Sequence, residues 1–376
     1  MELADAELSG LCRAAGLDPA DAEPVQRSVN HTYRFPSAGV VLRVCPDTPR
    51  VDRLVRTAAE LERLEVPTVR LAPGFDQPIR SLGGPDRRAP AGIRLTSGFV
   101  QPIRPPVPPV PPVPVAPVAP VPGRAVPDAA RRGRRVPVPG QPDRAADRPD
   151  RVVGWAATVW RLLPPAPAGR YPASDLAGPL RALHASRPAV DLPDWDPLGP
   201  VREMISRAAT PAVPFGAWTR EHLDRPGPAV LAALRARCDE LAARLAAARW
   251  ATPVGPVHAD AHTGNLLRTA SGEPVLADLD SISRGPAEVD LVAAAHAVGR
   301  LAGDPGDYRR LVDAYGFDVR ESEVWSDLRA LRDLQLAVHL LPRLPDGPVA
   351  AELARRLETV LTADDAAIWE RYPAMT

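Results

Sequence analysis

The sequence predicts an α+β protein in two lobes, a small β-rich one followed by a larger, mainly helical one, with an irregular segment inserted in the first. Three observations carry this. Apolar residues alternate in short stretches of the first 163 residues, they follow helical spacing over most of the rest, and a Pro-dense run between residues 81 and 150 can sustain neither period. We place the first lobe at 1–163, with 81–150 as an insertion expected to be disordered, and the larger lobe at 164–376. A chain of 376 residues with 45% hydrophobic composition can bury cores for both.

Residues 30–46 (NHTYRFPSAGVVLRVCP) predict a hairpin, because Tyr33 and Phe35, then Val40, Leu42 and Val44, alternate on either side of a Pro36–Gly39 turn. Residues 51–65 predict a helix through Leu54, Ala58, Leu61 and Leu64, which Val66 and Pro67 stop. The stretch 152–163 (VVGWAATVWRLL) returns to strand composition. Between these, residues 102–122 hold 11 Pro in 21 residues, and a basic stretch with Arg131, Arg132, Arg134 and Arg135 follows. Such a run is polyproline II or disordered. It has the composition of a docking site for a proline-binding module, and more simply that of a surface insertion in a Pro-biased chain. Just before it, VRLAPGFDQPIR (69–80) recurs as IRLTSGFVQPIR (93–104), with eight identities in twelve, so one copy is expected in the fold and the other in the insertion.

After Pro164 and Pro165 the period becomes helical. Helices are expected over 175–186, 228–250, 286–302, 306–316, 325–343 and 347–372, with short strands around polar loops over 255–280. In 228–250, Leu231, Leu234, Cys238, Leu241 and Leu245 share one face.

Composition excludes several function classes. The 46 basic and 46 acidic residues cancel, which removes the basic footprint of a nucleic-acid partner. All 46 basic residues are Arg, so lysine Schiff-base chemistry and the lysine-bearing P-loop are excluded. Cys12, Cys45 and Cys238 are odd in number and widely spaced, which fits a reducing cytoplasm better than a disulfide framework or zinc site. The acidic start MELADAE lacks the basic and apolar regions of a secretory signal, and no window reaches the length of apolar sequence a membrane span needs. No membrane partner is expected.

The chemistry concentrates in VHADAHTGNLLRTASGEPVLADLDSISRGPAEVDL, residues 257–291. His258, Asp260 and Asn265 form HxDxxxxN, and an apolar strand through Val275 and Leu276 then delivers Asp278 and Asp280. A carboxylate on a tight loop can orient a hydroxyl proton. An amide oxygen five residues later and a carboxylate from the next strand make an oxygen-rich pair suited to Mg²⁺ bridging nucleotide phosphates. The chain has only two Asn, and one of them, Asn265, falls where an uncharged hard ligand is needed.

This segment resembles the catalytic and metal-binding loops of the aminoglycoside phosphotransferase-like family, which has the bilobal protein-kinase-like fold. The family loop commonly reads HGDxHxGN, and here HADAHTGN places Ala259 at the glycine. The family's following pattern is matched by Leu276, Asp278, Leu279, Asp280, Gly285, Pro286, Asp290 and Leu291. By resemblance Asp260 is the catalytic base, His258 braces the catalytic loop, Asn265 and Asp278 bind Mg²⁺, and Asp290 anchors the next helix. Residues 28–44 resemble the hairpin that covers the nucleotide, with Ser28 and Asn30 in its turn and Arg43 where relatives carry a phosphate-binding lysine. The acidic partner of that residue is expected early on helix 51–65, where this chain has Leu54, with Glu60 and Glu62 later. Residues 152–165 and 180–185 resemble the hinge and the helix after it.

The resemblance implies a kinase that moves the γ-phosphate of ATP or GTP to a hydroxyl of a small molecule such as an aminoglycoside, sugar or amino alcohol. Asp191, Asp194, Asp196, Glu203, Asp304, Asp307 and Asp313 are candidates for an acidic wall against a polycationic acceptor, though most read more simply as loop charges and helix caps. The competing reading is a kinase-fold protein that binds a nucleotide or metabolite without turnover and recruits a partner through its Pro-rich insert. His262 has a structural hydrogen bond as its simplest role, and His184, His222, His296 and His339 read as ordinary helix residues.

Overall fold

A computed structural model describes residues 3–27, 30–81, 154–164 and 171–371, all within a compact unit formed by residues 1–83 and 135–376. Expectations on Ser28, the repeat copy at 93–104 and the Pro-rich run 102–122 lie outside the described residues.

The first lobe begins with helix α1 (Asp5–Ala14), which the period reading missed. Glu7 accepts the Ala4 amide at 3.1 Å, and Gly16 ends the helix at φ +69, a left-handed geometry that glycine adopts freely. Strands β1 (Glu23–Arg27), β2 (His31–Phe35), β3 (Val40–Pro46), β4 (Ile79–Arg80) and β5 (Trp155–Arg161) form one antiparallel sheet in the order β1-β2-β3-β5-β4. The expected hairpin is β2-β3, turned at Pro36–Gly39. The copy of the repeat at 69–80 belongs to the fold, since it carries β4 and a bridge from Leu71 to Trp160.

Alternation decides which way the sheet faces. Leu42 and Val44 of β3, with Trp155 and Val159 of β5, enter a core shared with Leu11 and Cys12 of α1. Trp160 leaves by the other face, toward helix α2 (Pro49–Arg63). Helix α2 buries Val51, Leu54, Val55, Ala58 and Leu61, so its apolar stripe is wedged between sheet and larger lobe.

The larger lobe contains α3 (Ala177–Ala185), α4 (Gly199–Ala208), α5 (Phe215–Leu223), α6 (Gly227–Ala246), α7 (Val292–Arg300), α8 (Pro305–Tyr315), α9 (Trp325–Val338) and α10 (Gly347–Thr362). Two ribbons interrupt them, β6 (Val254–Val257) with β9 (Ser283–Pro286), and β7 (Leu266–Arg268) with β8 (Pro274–Leu276). Helices α4 and α5 were not anticipated. The segment expected to be helical from residue 286 instead continues a strand and a 3₁₀ turn, because Glu288 is fully buried and receives the Ala251 and Thr252 amides at 3.0 and 3.1 Å. The last helix stops at Thr362 rather than residue 372. Beyond it the Asp365 and Ala367 carbonyls accept from Arg300, and the Glu370 carbonyl accepts from Arg356.

One junction between the lobes sets the site. The Val69 amide donates to the Leu276 carbonyl at 2.8 Å, and the Leu276 amide to the Pro67 carbonyl at 2.9 Å. The segment leaving α2 therefore pairs with β8, the strand that leads to Asp278.

Candidate active site

The loop from β6 to β7 is held from beneath by one buried carboxylate. The amides of His258 and Ala259 donate to Asp290 Oδ2 and Oδ1, each at 2.7 Å, and His184 Nε2–H donates to Oδ2 at 2.8 Å. The Tyr315 hydroxyl in turn donates to His184 Nδ1 at 2.7 Å. Sequence spacing could not reveal this chain, since its members lie on α3, the 3₁₀ turn before α7, and the end of α8. His184 is thus not an ordinary helix residue. Its partners are distant in sequence, and only the packing of α3 against α8 brings them together.

Ala259 sits at φ +64, in the left-handed region where a side chain costs about 1–2 kcal/mol. That geometry explains the glycine of the family motif at this position. His258 is fully buried, and its Nε2–H donates to the Ala277 carbonyl at 2.9 Å, so it ties the loop to the segment that carries Asp278. His262 Nδ1 accepts the Gly264 amide at 3.0 Å. Burial, aided by the charges of Arg332 and His258, keeps His262 below its usual pKa despite Asp260 nearby. Asn265 Nδ2 donates to the Asp260 carbonyl at 2.9 Å, and the Asn265 carbonyl receives the Ala277 amide at 2.8 Å. These bonds bring Asp260, Asn265 and Asp278 together at one edge of the larger lobe.

Arg43 reaches the same edge from the sheet. Leu42 and Val44 are buried on one face of β3, so the pleat turns Arg43 to the other, opposite Thr32 on β2 and Thr158 on β5. Its guanidinium pairs with Asp278 Oδ1 at 3.3 Å and also with Asp280. Partial burial and the neighbouring Asp278 push Asp280 above the usual carboxylate range, although Arg43 opposes this. For Asp278 burial works upward, but the hydrogen bond with Asp280 and the charge of Arg43 prevail and hold it low. Asn30 lies immediately before β2, two residues from Thr32.

The acidic partner of Arg43 is therefore not on α2. The acid in the first turn of that helix is Asp52, and it pairs with Arg80 at 2.7 Å, while Glu60 binds Arg63 and Glu62 binds Arg70. Among the described residues no group of three His, Cys, Asp or Glu could hold a metal. The amide of Asn265 with the carboxylate of Asp278, and Asp280 beside it, is an all-oxygen set of the kind Mg²⁺ uses when phosphates and water complete its shell.

Beside Asp260 is a small opening of about 30 Å³, lined by larger-lobe residues that include Trp195, Val292, Leu328, Leu331 and Arg332. Arg332 NH1 meets Asp260 Oδ1 at 3.4 Å. None of the acids considered for an acidic wall lines it. Asp196 caps α4, Asp304 caps α8, Asp307 accepts the Ala173 amide, Asp194 pairs with Arg284, and Asp191, Glu203 and Asp313 are exposed.

The sequence profile of the phosphotransferase enzyme family, APH, matches residues 124–334, more than half of the chain. No curated protein matches it in sequence. Among solved structures, amicoumacin kinase hAmiN in complex with AMP-PNP, Ca²⁺ and Ami is 13% identical, with 94% of this chain and 91% of that one covered at a TM-score of 0.52. Spectinomycin phosphotransferase with ADP and spectinomycin is 13% identical over 91% of each chain, at a TM-score of 0.47. Choline kinase LicA from Streptococcus pneumoniae is 11% identical over 91% of this chain and 93% of that one, at 0.44. Among the described residues no helix is long and apolar enough to cross a membrane. With its β-rich first lobe, its helical second lobe and the loop of residues 257–291 at their junction, the chain belongs to the APH phosphotransferase family and has the bilobal protein-kinase-like fold.

Proposed function

We propose that this phosphotransferase moves the γ-phosphate of ATP or GTP to a hydroxyl of a small molecule. The observation that carries the reading is the meeting, at one edge, of Arg43 with Asp278 and Asp280 and of Asn265 with the Asp260 loop. In this reading Ser28 and Asn30 belong to the turn over the nucleotide, and Arg43 gives its guanidinium to the α- and β-phosphates, exchanging a carboxylate partner for a phosphate one. Asn265 and Asp278 would hold Mg²⁺, which would supply positive charge to neutralise the phosphates. Asp260 accepts the proton of the attacking hydroxyl. His258, Asp290 and His184 do not touch substrate and fix where Asp260 points.

The test is phosphoryl transfer from labelled ATP or GTP, with Mg²⁺, to a broad panel of alcohols. Asp260→Asn should lower kcat by about 10²–10⁴-fold, the usual worth of a positioned general base, with an unchanged melting temperature. Mg-nucleotide binding with no transfer to any alcohol would reject the reading in favour of the non-catalytic one.

A further inference from the structure

Two carboxylates hold Arg43 at once, one on each arm of its fork. NH2 pairs with Asp278 Oδ1 at 3.3 Å, and NH1 pairs with Asp280 Oδ2. Local structure puts both acids there. Leu279 between them is buried in the core that includes Leu54, Val55 and Leu61 of α2, so the two aspartates flanking it are left facing outward. The two acids are not equivalent. Asp278 follows Ala277, whose amide is bonded to the Asn265 carbonyl, and so stands beside the other oxygen ligand proposed for Mg²⁺. Asp280 lies two residues further on, in a 3₁₀ turn anchored by Leu279. Helix α2 offers no replacement, since Asp52 in its first turn is bound to Arg80 at 2.7 Å and Leu54 is apolar and buried. Resting on the phosphotransferase reading above, we infer that Asp280 is a positioning residue for phosphate binding. It keeps NH1 of Arg43 when the nucleotide arrives, while Asp278 is given up to the metal and NH2 turns to a phosphate oxygen.

A long guanidinium side chain left free would have to be ordered at each binding event, at a cost in affinity. Its planar fork lets one carboxylate fix its direction while NH2 and Nε still donate to an anion. The Arg43 side chain is 13% exposed and that of Asp280 40%, so water screens the pair in part and the effect is moderate. Two influences of Asp280 oppose each other at this place. Its charge repels the phosphates, and its hold on Arg43 favours them. Neutralising it would tighten nucleotide binding if repulsion were its whole effect, so a loss of affinity marks the positioning role.

The experiment is a double-mutant cycle in titration calorimetry, on the full-length protein with Mg²⁺-ADP and Mg²⁺-GDP. It compares wild type with Asp280→Asn, Asp280→Glu, Arg43→Gln and the pair Asp280→Asn with Arg43→Gln, and the melting temperature of each variant verifies folding. A partly exposed charge pair predicts that Asp280→Asn weakens binding of the nucleotide by about 5- to 30-fold. Asp280→Glu, which keeps the carboxylate, should recover most of that loss. Once Arg43 is replaced by Gln, Asp280→Asn should change affinity by less than about twofold. Affinity equal to or above wild type in Asp280→Asn overturns the inference. So does a loss that persists undiminished in the Arg43→Gln background, which would place Asp280 on the metal instead. Either result leaves the phosphotransferase reading standing, because that reading rests on transfer to an alcohol and on Asp260. A wild type that binds neither nucleotide takes both down.

Discussion

Asp290→Asn tests whether a buried carboxylate holds the loop that carries Asp260. Asp290 is almost fully buried and receives three donors, the amides of His258 and Ala259 and the ring of His184, at 2.7, 2.7 and 2.8 Å. Asparagine keeps the shape but offers one acceptor oxygen, and its amino group faces a donor. At least one N–H then loses its partner, at about 1–3 kcal/mol, and the bonds that remain become neutral, each weaker by about 1 kcal/mol. The total is about 3–5 kcal/mol, and for a chain of this size each kcal/mol moves the melting temperature by roughly 2 °C, so a fall of about 6–10 °C is expected by calorimetry. Activity should fall further than stability alone explains. Ala259 is held in a strained backbone conformation and, freed of its bond to Asp290, can relax and move the adjoining Asp260. A displacement of an ångström at a reacting group costs on the order of 10²-fold. A melting temperature within 1 °C of wild type, or kcat within twofold under folded conditions, would refute the reasoning.

Three further outcomes follow from the same geometry. Ala259→Gly should raise stability by up to about 1 kcal/mol, since relief of left-handed strain exceeds the entropy glycine adds to the unfolded chain, and it should soften the Asp290→Asn defect; chemical denaturation of the double mutant measures this. Arg43→Ala should weaken Mg-nucleotide binding by about 10- to 100-fold in titration calorimetry, the worth of lost charge-assisted phosphate contacts, whereas loss of a purely structural ion pair would leave affinity unchanged. Finally, burial holds buried His296 below its usual pKa against the pull of Asp333, with which it shares a 2.8 Å bond. The unfolded chain therefore takes up a proton near pH 6.5 that the native state refuses. Stability should be full above that pH and fall below it, and the slope of melting temperature between pH 7.5 and 5.5 should flatten in His296→Gln; an identical slope in the variant would remove His296 as the cause.

The local parts of this protein were legible because they depend on neighbours in sequence. The β2-β3 hairpin, helices α2, α3 and α6, and the loop carrying His258, Asp260, Asn265 and Asp278 are set by period, turn residues and short spacing. The weakly patterned helices α1, α4 and α5 were not, because their boundaries rest on caps and packing rather than a strong stripe. The absence of lysine directs attention to Arg43, whose side chain the pleat of β3 turns toward Asp278 and Asp280.

What the sequence determined by itself was the family motif, the order of the two lobes and the residue types available for phosphate, metal and proton. Tertiary structure alone decided who meets whom. Arg43 finds Asp278 and Asp280 rather than an acid on α2, because Asp52 is taken by Arg80. His184 reaches Asp290 across 106 residues, and Tyr315 reaches His184 across 131. Arg332 arrives beside Asp260 from α9, 72 positions away. Each is a pairing of charges or polar groups that has no local period, so it becomes visible only when the packing of apolar helix faces has brought the chain segments together.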